Sequence, residues 1–574
     1  LKIILTEINS KFVHTNLALR YIKACLKGLD VTLAEYSVND ALDNIIGELN
    51  KMKPDILGFS CYIWNIEYVL KIIGSMKKIN PKLLVVLGGP EVSYDCTKLM
   101  EENTSIDFIV KGEGERTAQE LFLCLEGRGK GLKDIYGIVF RKDNGIIENI
   151  NAPLIENLDS IPFPYDDSYD FKNKILYYEA SRGCPYNCSY CLSSTIPGVR
   201  FFSVERIKRD LLWFIDKQVK LVKFVDRTFN CAKHTLEVFK FLAEHSMNTK
   251  FHFEISADIL DDETIEFLQG VRSGLFQFEI GVQSVNNTTL SLIDRKTKID
   301  ILFKNIARLR EKGNINIHLD LIAGLPGEDF NSFRDSFDSV FSLKPHMLQL
   351  GFLKLLKGSK ITRESEIYGI QFNDYPPYEV LKTDLLSFDE LIKLKETEKT
   401  LDRYYNSGRF QCSMNLLLMQ TQSPFVLFEE ISAFQYETFK KTIKLSNEGQ
   451  YKLIYDYGEH LNTIDINILK ESLAFDYLRQ GRNPSVPDFL MQEIKIDKKF
   501  IWNLASNREF IKKKMPHYED KSTKEILKNI YIRKFSFDAY CLLSKGELCI
   551  KDTYIVFDYR IPNTTERANF FYIE

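Results

Sequence analysis

The chain has 574 residues, too many for one core and enough for about three or four domains. Its 76 basic and 79 acidic residues leave a net charge of −3, which excludes a global field for nucleic acid or an anionic membrane. No uninterrupted apolar run approaches the roughly 20 residues that span a bilayer, and eleven cysteines are too few for a secreted disulfide scaffold, so a reducing, cytoplasmic setting is expected.

Over residues 1–150, short apolar runs at Lys2 to Leu5, Val31 to Ala34, Ile56 to Phe59, Leu83 to Leu87 and Phe108 to Val110 read as strands between helical patterns. Strict alternation requires crossovers and a parallel sheet, hence an α/β, doubly wound domain whose ligand lies beyond the carboxyl ends of the strands. Gly58-Phe59-Ser60, Gly88-Gly89-Pro90-Glu91 and Gly112-Glu113-Gly114-Glu115 fall there. Gly137 to Ile150, broken at Asp143-Asn144-Gly145, reads as a closing hairpin. A Pro-marked linker covers 151–172.

Alternation resumes over residues 173–375, with strands at Ile175 to Ala180, Leu221 to Val225, Lys250 to Ile255, Phe276 to Ile280, Ile315 to Ile322 and Met347 to Leu355. Six such units fall short of the eight in a closed barrel, so a partial (β/α)6 barrel is expected, with its chemistry at the carboxyl ends of the strands. Residues 376–574 turn Lys- and aromatic-rich; Ser387 to Tyr405 and Ser522 to Phe535 read as helices and Tyr554 to Tyr559 as a strand. A mainly helical domain that closes the barrel and shapes its pocket is expected. Lys495 to Lys534 holds twelve Lys and Arg against five Asp and Glu, which reads as a solvated face before a phosphate-binding one.

The decisive segment is Ser181-Arg182-Gly183-Cys184-Pro185-Tyr186-Asn187-Cys188-Ser189-Tyr190-Cys191, a loop by composition, just after the first barrel strand. Random placement of eleven cysteines would give this spacing roughly 0.004 times per chain. Three converging thiolates hold a cubane and leave one iron open, whereas zinc wants a fourth ligand close by and the nearest histidine, His234, is about 40 residues away.

This segment resembles the signature of the radical S-adenosylmethionine (SAM) superfamily, with Tyr190 as the aromatic residue before the third cysteine. The resemblance implies a 4Fe-4S cluster on Cys184, Cys188 and Cys191, chelation of SAM at the open iron, and its reductive cleavage to a 5′-deoxyadenosyl radical. It further implies that Asp226 receives the methionine ammonium, that Glu254 and Ser256 meet the ribose, and that Glu279, Gln283 and Arg295 belong to a Gly-x-Gln-Ser segment whose following Arg pairs with the methionine carboxylate. Gly324, in Asp320 to Glu328, marks the approach of backbone to adenine. Arg227 departs from the family, which often has a second acidic residue there; it suits an anionic group as well as a surface ion pair.

The doubly wound domain ahead of the barrel resembles the cobalamin-binding subclass, which implies cobalamin contacts at Ser60, Gly88, Gly89, Glu91, Gly112, Glu113 and Gly114, with Trp64 and Asn65 near the cobalt face. No Asp-x-His-x-x-Gly supplies a cobalt ligand, and His14 lacks that motif's neighbours. The expected function is radical chemistry followed by methyl transfer to an unactivated carbon of a small-molecule, peptide or lipid substrate, with flavodoxin or ferredoxin as reductant; a nucleic-acid substrate is not favoured. Non-methylating rearrangement or cyclisation is an alternative. So is a methylthiotransferase with a second cluster on Cys25, Cys61 and Cys96, although Cys25 falls within the helical pattern Asn16 to Lys27. A non-catalytic iron–sulfur redox sensor is the alternative of another class.

Overall fold

A computed structural model describes the chain apart from residues 144, 170, 441–443, 482–485, 492–495, 563–567 and 574. Asn144 of the expected turn and Lys495 of the basic stretch lie outside the described residues. The chain divides into two compact units: Leu1–Ser336 with Leu343–His346 and Leu350–Phe388, and Phe337–Ser342 with Met347–Gln349 and Asp389–Glu574.

The first unit opens with β1 (Lys2–Asn9), α1 (Leu17–Cys25), β2 (Asp30–Ser37), α2 (Leu42–Met52), β3 (Ile56–Ser60), α3 (Ile66–Ile79), β4 (Leu84–Gly88), α4 (Cys96–Glu102), β5 (Phe108–Val110), α5 (Gly114–Leu125), β6 (Ile138–Lys142) and β7 (Gly145–Glu148). They form a sheet in the order β2-β1-β3-β4-β5-β6-β7, parallel as far as β5 and closed by the antiparallel hairpin β6-β7. Both faces are apolar because helices cover both. Ile4, Leu57, Phe59 and Leu87 pack on the side that holds Val69, Ile72 and Met76 of α3, and Ile3, Leu5, Val86 and Val110 on the side of α1 and α5.

The strand order reverses between β1 and β3, and this switch point is tied across. Asn16 caps α1 by accepting from Leu19 N (3.0 Å) and donates from Nδ2 to Ser60 Oγ (2.8 Å). β1 runs on to Asn9, past its apolar run, because the buried Glu7 accepts from Asn16 N (3.1 Å) and faces Arg20 of α1.

The second sheet of this unit has the order β15-β14-β13-β12-β11-β8, built from β8 (Leu176–Tyr178), β11 (Leu221–Phe224), β12 (Lys250–Glu254), β13 (Phe276–Gln283), β14 (Asn316–Ala323) and β15 (Met347–Phe352). It is open, as the count of six implied. Between β8 and β11 the hairpin β9 (Ser181–Gly183) and β10 (Val199–Phe201) pairs antiparallel, and a short pair follows the sheet, β16 (Gln371–Phe372) with β17 (Val380–Lys382). Under the sheet Phe239 meets Phe229, Phe253, Phe276 and Phe278 with ring centroids 5.2–5.7 Å apart.

The second unit is mainly helical, as expected, with helices such as Phe388–Leu401, Pro424–Phe439, Asn447–Leu461 and Ile466–Leu478. Two expectations fail in it. Ser522 to Phe535 is helical only over Thr523–Leu527; Ile530–Phe537 is β18, whose alternating burial packs Phe535 and Phe537 inward. With β19 (Ile550–Pro562) and β20 (Ala568–Ile573) it forms an antiparallel sheet. Cys541 and Cys549, expected as thiols, lie with Cα atoms 6.3 Å apart and are joined in a disulfide. Among the described residues no helix is long and apolar enough to cross a membrane.

Phe239 is fully buried. Phe239→Ala is expected to destabilise the first unit by about 3–5 kcal/mol and Phe239→Leu by clearly less, read from urea unfolding midpoints.

Candidate cluster and cofactor site

The cysteine segment is the loop of the β9-β10 hairpin. Gly183 holds φ +105° and a Cβ there would stand 2.1 Å from Gly198 O, so the hairpin closes only with glycine. Beneath it the buried Asp226 accepts from Ala180 N (2.9 Å) and Ser181 Oγ (2.5 Å), and burial pushes its carboxyl up to about 7. Its carboxylate, expected to receive the SAM ammonium, is thus turned to the base of the loop. Farther along, Ser189 N donates to Ile293 O (2.9 Å) and Ile361 N to Ser189 O (2.9 Å), which pins the turn carrying Cys188 and Cys191.

Cys184 Sγ lies 3.6 Å from Thr228 Oγ1, and Arg295 Nη1 lies 3.6 Å from Cys188 Sγ and 3.4 Å from Tyr190 Oη. The only trio of candidate ligand atoms within 4.8 Å of one another among the described residues is Cys541, Glu547 and Cys549. At least one pair of the three motif thiols therefore stands more than 4.8 Å apart. The donor set, three thiols on one loop, fits a 4Fe-4S cluster.

Around Cys188 four buried polar atoms have no partner among the described residues: Ser189 Oγ, Gln283 Oε1, Arg295 Nε and Asp320 Oδ1. Gln283 ends β13 at a bulge with φ +72°, a strained position for a side chain other than glycine. Burial, with Glu279 and Glu254 nearby, raises the Asp320 carboxyl well above its usual range. This orphaned set of donors and acceptors fits the amino, carboxylate and hydroxyl groups of SAM.

Other expected contacts are already engaged. Glu279 accepts from Lys223 Nζ and His252 Nε2, both at 2.9 Å, and these bonds outweigh burial to lower its carboxyl to about 2. Ser256 Oγ accepts from Tyr186 in the cysteine loop (3.2 Å) and donates to Asp258 (2.6 Å). Glu254 faces Arg227 at 3.5 Å. At Gly324 a Cβ would meet Val380 Cγ1 at 2.7 Å, so packing of β17 already demands glycine.

A cavity of about 900 Å³ lies between the carboxyl ends of the first sheet and the cysteine hairpin. Ser60, Trp64, Gly88, Gly89, Gly112, Glu113 and Gly114 line it. Its inner end is an apolar slot between the sheet and α1 and α5, walled by Leu5, Ile22, Val86 and Phe122. A Cβ at Gly58 would approach Leu5 Cδ2 to 2.8 Å and one at Gly114 would approach Ile22 Cδ1 to 3.1 Å, narrowing that slot, so it fits the flat apolar tail of a corrinoid.

Two expected contacts do not line the cavity. Asn65 spends its amide on Ile8 O, Ser60 O and Tyr62 N, holding the β3-α3 turn, and the buried Glu91 binds Lys357 (2.9 Å) and Tyr378. Sequence reasoning missed the His14 and Tyr177 pair on the cavity wall (Nδ1 to Oη 2.7 Å) and the role of Asn16, whose N-cap position before an amphipathic helix was a usable signal.

It also missed an ionic clamp between the glycine loop before α5 and the cysteine hairpin. Arg182, next to Gly183, pairs with Glu179 (2.7 Å), Glu113 (3.4 Å) and Glu115, while Arg200 of β10 pairs with Glu113 (2.6 Å). Burial raises the Glu179 carboxyl, whereas the bonds from Arg200 and Ile155 N overcome burial and lower that of Glu113.

Comparison with known proteins matches residues 4–122 to the B12 binding domain, 178–340 to the Radical SAM superfamily and 366–557 to a protein family of unknown function, DUF4080. The chain thus carries a B12 binding domain followed by a domain of the Radical SAM superfamily. Within that superfamily it is 28% identical over 314 residues to a 2-(S-pantetheinyl)-carbapenam-3-carboxylate methyltransferase of Streptantibioticus cattleyicolor, covering 51% of this chain and 46% of the relative. A longer match, 25% identical and covering 75% of this chain and 78% of the relative, is to an anaerobic magnesium-protoporphyrin IX monomethyl ester cyclase of Rubrivivax gelatinosus. The chain thus spans less than half the length of the first methyltransferase relative. The fold is similar to the cobalamin-dependent SAM radical enzyme OxsB (TM-score 0.57, 16% identity, 91% of this chain and 83% of that one). It is also similar to the radical SAM methyltransferase TsrM of Kitasatospora setae (TM-score 0.55, 16% identity, 66% and 78%).

The second cluster of a methylthiotransferase finds no support: Cys61 and Cys96 are packed in the core on the α3 side of the sheet, and Cys25 ends α1 on the other. Removing the Arg182 guanidinium strands buried carboxylates, so Arg182→Met is expected to cost about 3–5 kcal/mol and to lower iron content and corrinoid retention together, read by iron assay and visible absorption. The folded Glu279 carboxyl sits at about 2, below the usual 4.5, so it contributes stability above pH 4.5 that is lost as pH falls from there toward 2. Glu279→Gln is expected to flatten that acid limb in urea midpoints measured from pH 6 to 3.

Proposed function

We propose that the protein is a cobalamin-dependent radical SAM methyltransferase acting on an unactivated carbon, with electrons delivered by a flavodoxin- or ferredoxin-type partner. The observation that carries the proposal is the single cavity bounded on one side by the glycine loops and on the other by the cysteine hairpin. When bound, the cluster supplies the electron that cleaves SAM and cobalamin supplies the methyl group. Cys184, Cys188 and Cys191 hold the cluster. Arg295 offers its guanidinium to the methionine carboxylate, Gln283 Oε1 accepts from an amino or hydroxyl group, and Asp320 Oδ1 offers a further polar atom. The glycine loops and apolar slot seat the corrinoid.

A second reading, radical cyclisation without methyl transfer, is favoured by the breadth of the match to the R. gelatinosus cyclase. Anaerobic reconstitution with iron, sulfide and hydroxocobalamin, followed by dithionite and SAM, separates the two. Formation of 5′-deoxyadenosine together with S-adenosylhomocysteine is expected for methylation, and 5′-deoxyadenosine alone for cyclisation. Cys188→Ala is expected to bring 5′-deoxyadenosine to the level of the protein-free control; neither product from an intact, reducible cluster refutes both readings.

A further inference from the structure

Four cationic side chains line the cavity: Lys111, Arg182, Arg200 and Arg227. Three are neutralised by close carboxylates and covered. Lys111 pairs with Glu148 at 2.5 Å, Arg182 with Glu179 at 2.7 Å and Arg200 with Glu113 at 2.6 Å, and their side chains are 11%, 13% and 16% exposed. Arg227 differs on both counts: its one ion pair, to Glu254, is 3.5 Å long, and 58% of its side chain is uncovered. Among the described residues Nε and Nη2 have no protein partner, although a guanidinium presents five donors in a fork that matches carboxylate and phosphate oxygens.

Arg227 also stands where a substrate must come. It follows β11, at the carboxyl end of the barrel sheet, next to Thr228, which touches Cys184, and its charge is felt by Cys191. Glu279 is held by Lys223 and His252, which leaves Glu254 as the one carboxylate paired with Arg227 among the described residues.

We propose that Arg227 anchors a carboxylate or phosphate of the substrate, which makes the substrate of this enzyme an anionic molecule held by its acidic group beside the cysteine loop. The proposal rests on the radical SAM reading only for the word substrate; the oxyanion site stands on the geometry alone. SAM carries a carboxylate too, and Arg295, beside Cys188 and Tyr190, is the cation assigned to it. The amide side chains of cobalamin are neutral, and its one phosphodiester belongs to the nucleotide tail, which is assigned to the slot walled by Leu5, Ile22, Val86 and Phe122.

The test uses selenate, an oxyanion located by anomalous scattering, soaked into crystals of the cluster-, cobalamin- and SAM-loaded protein. Selenate bound to Arg227 while the SAM carboxylate lies on Arg295, with the selenate lost in Arg227→Gln and retained in Arg227→Lys, is the expected result. Equilibrium dialysis with labelled SAM is expected to give a dissociation constant for Arg227→Gln within about threefold of the parent, a difference under ~0.7 kcal/mol. Selenate absent from Arg227, or equally present in Arg227→Gln as an adventitious ion only, overturns the proposal. So does a SAM carboxylate seated on Arg227, with tenfold or greater loss of SAM affinity in Arg227→Gln. Failure of SAM cleavage with selenate still on Arg227 would refute the radical reading and leave the oxyanion site standing.

Discussion

Arg182 is buried among three carboxylates drawn from two sheets: Glu179 from the loop after β8, and Glu113 and Glu115 from the start of α5. Taking such charges out of water costs several kcal/mol each, and only close pairing offsets it. Arg200 supplies the second guanidinium, which leaves three acids against two bases, and burial raises the Glu179 carboxyl. The two acids at the start of α5 also suit the positive end of that helix. The arrangement holds the glycine loop of one sheet against the cysteine hairpin of the other, and the cavity, its lining and the position of Arg227 all follow from that registration.

The barrel interior is the second determinant. An open six-stranded sheet leaves its inner face to water or ligand, and that face carries Lys223, His252, Gln277, Glu279 and His318 joined in one hydrogen-bonded row. Gln277 Nε2 bridges His252 and His318, and burial, with His252 alongside, lowers His318 to about 4, keeping that imidazole neutral at physiological pH. The row fixes the strands laterally without an apolar plug. Partners that reach the strand ends, such as Gln283 and Asp320, are then free to face a ligand.

Much of this was legible in the sequence because the signals are local. Phe108–Val110 is the strand its apolar run marks, and the cysteine spacing singles out the cluster loop without any structure. What was not legible depends on distant partners. β1 reads short because Glu7 looks like a surface residue until Arg20 and Asn16 are brought to it. Asn65 and Glu91 look like ligands at strand ends, yet the fold consumes their polar atoms in its own turns and ion pairs. Asp226, Glu279 and Ser256 likewise look like ligands at strand ends, but their side chains hold the cysteine loop and the barrel wall. Near residue 530 a Lys-rich stretch hides a strand, because Arg533 is buried on Phe535 and donates to the distant Leu490 O (2.8 Å), a partnership that a charged residue does not announce.

The ionic clamp joins residues 67 to 87 positions apart in the chain, across what would otherwise be two interchangeable modules. A chimera that exchanges the amino-terminal sheet for that of another superfamily member must therefore bring acids matching Glu113 and Glu115, or replace Arg182 and Arg200 as well. Otherwise it buries unmatched charge at the seam. The same constraint ties the two segments together in descent: a change of sign on one side is tolerated only when the other side has already changed or changes with it, so that the glycine loop and the cysteine hairpin are inherited as a single unit.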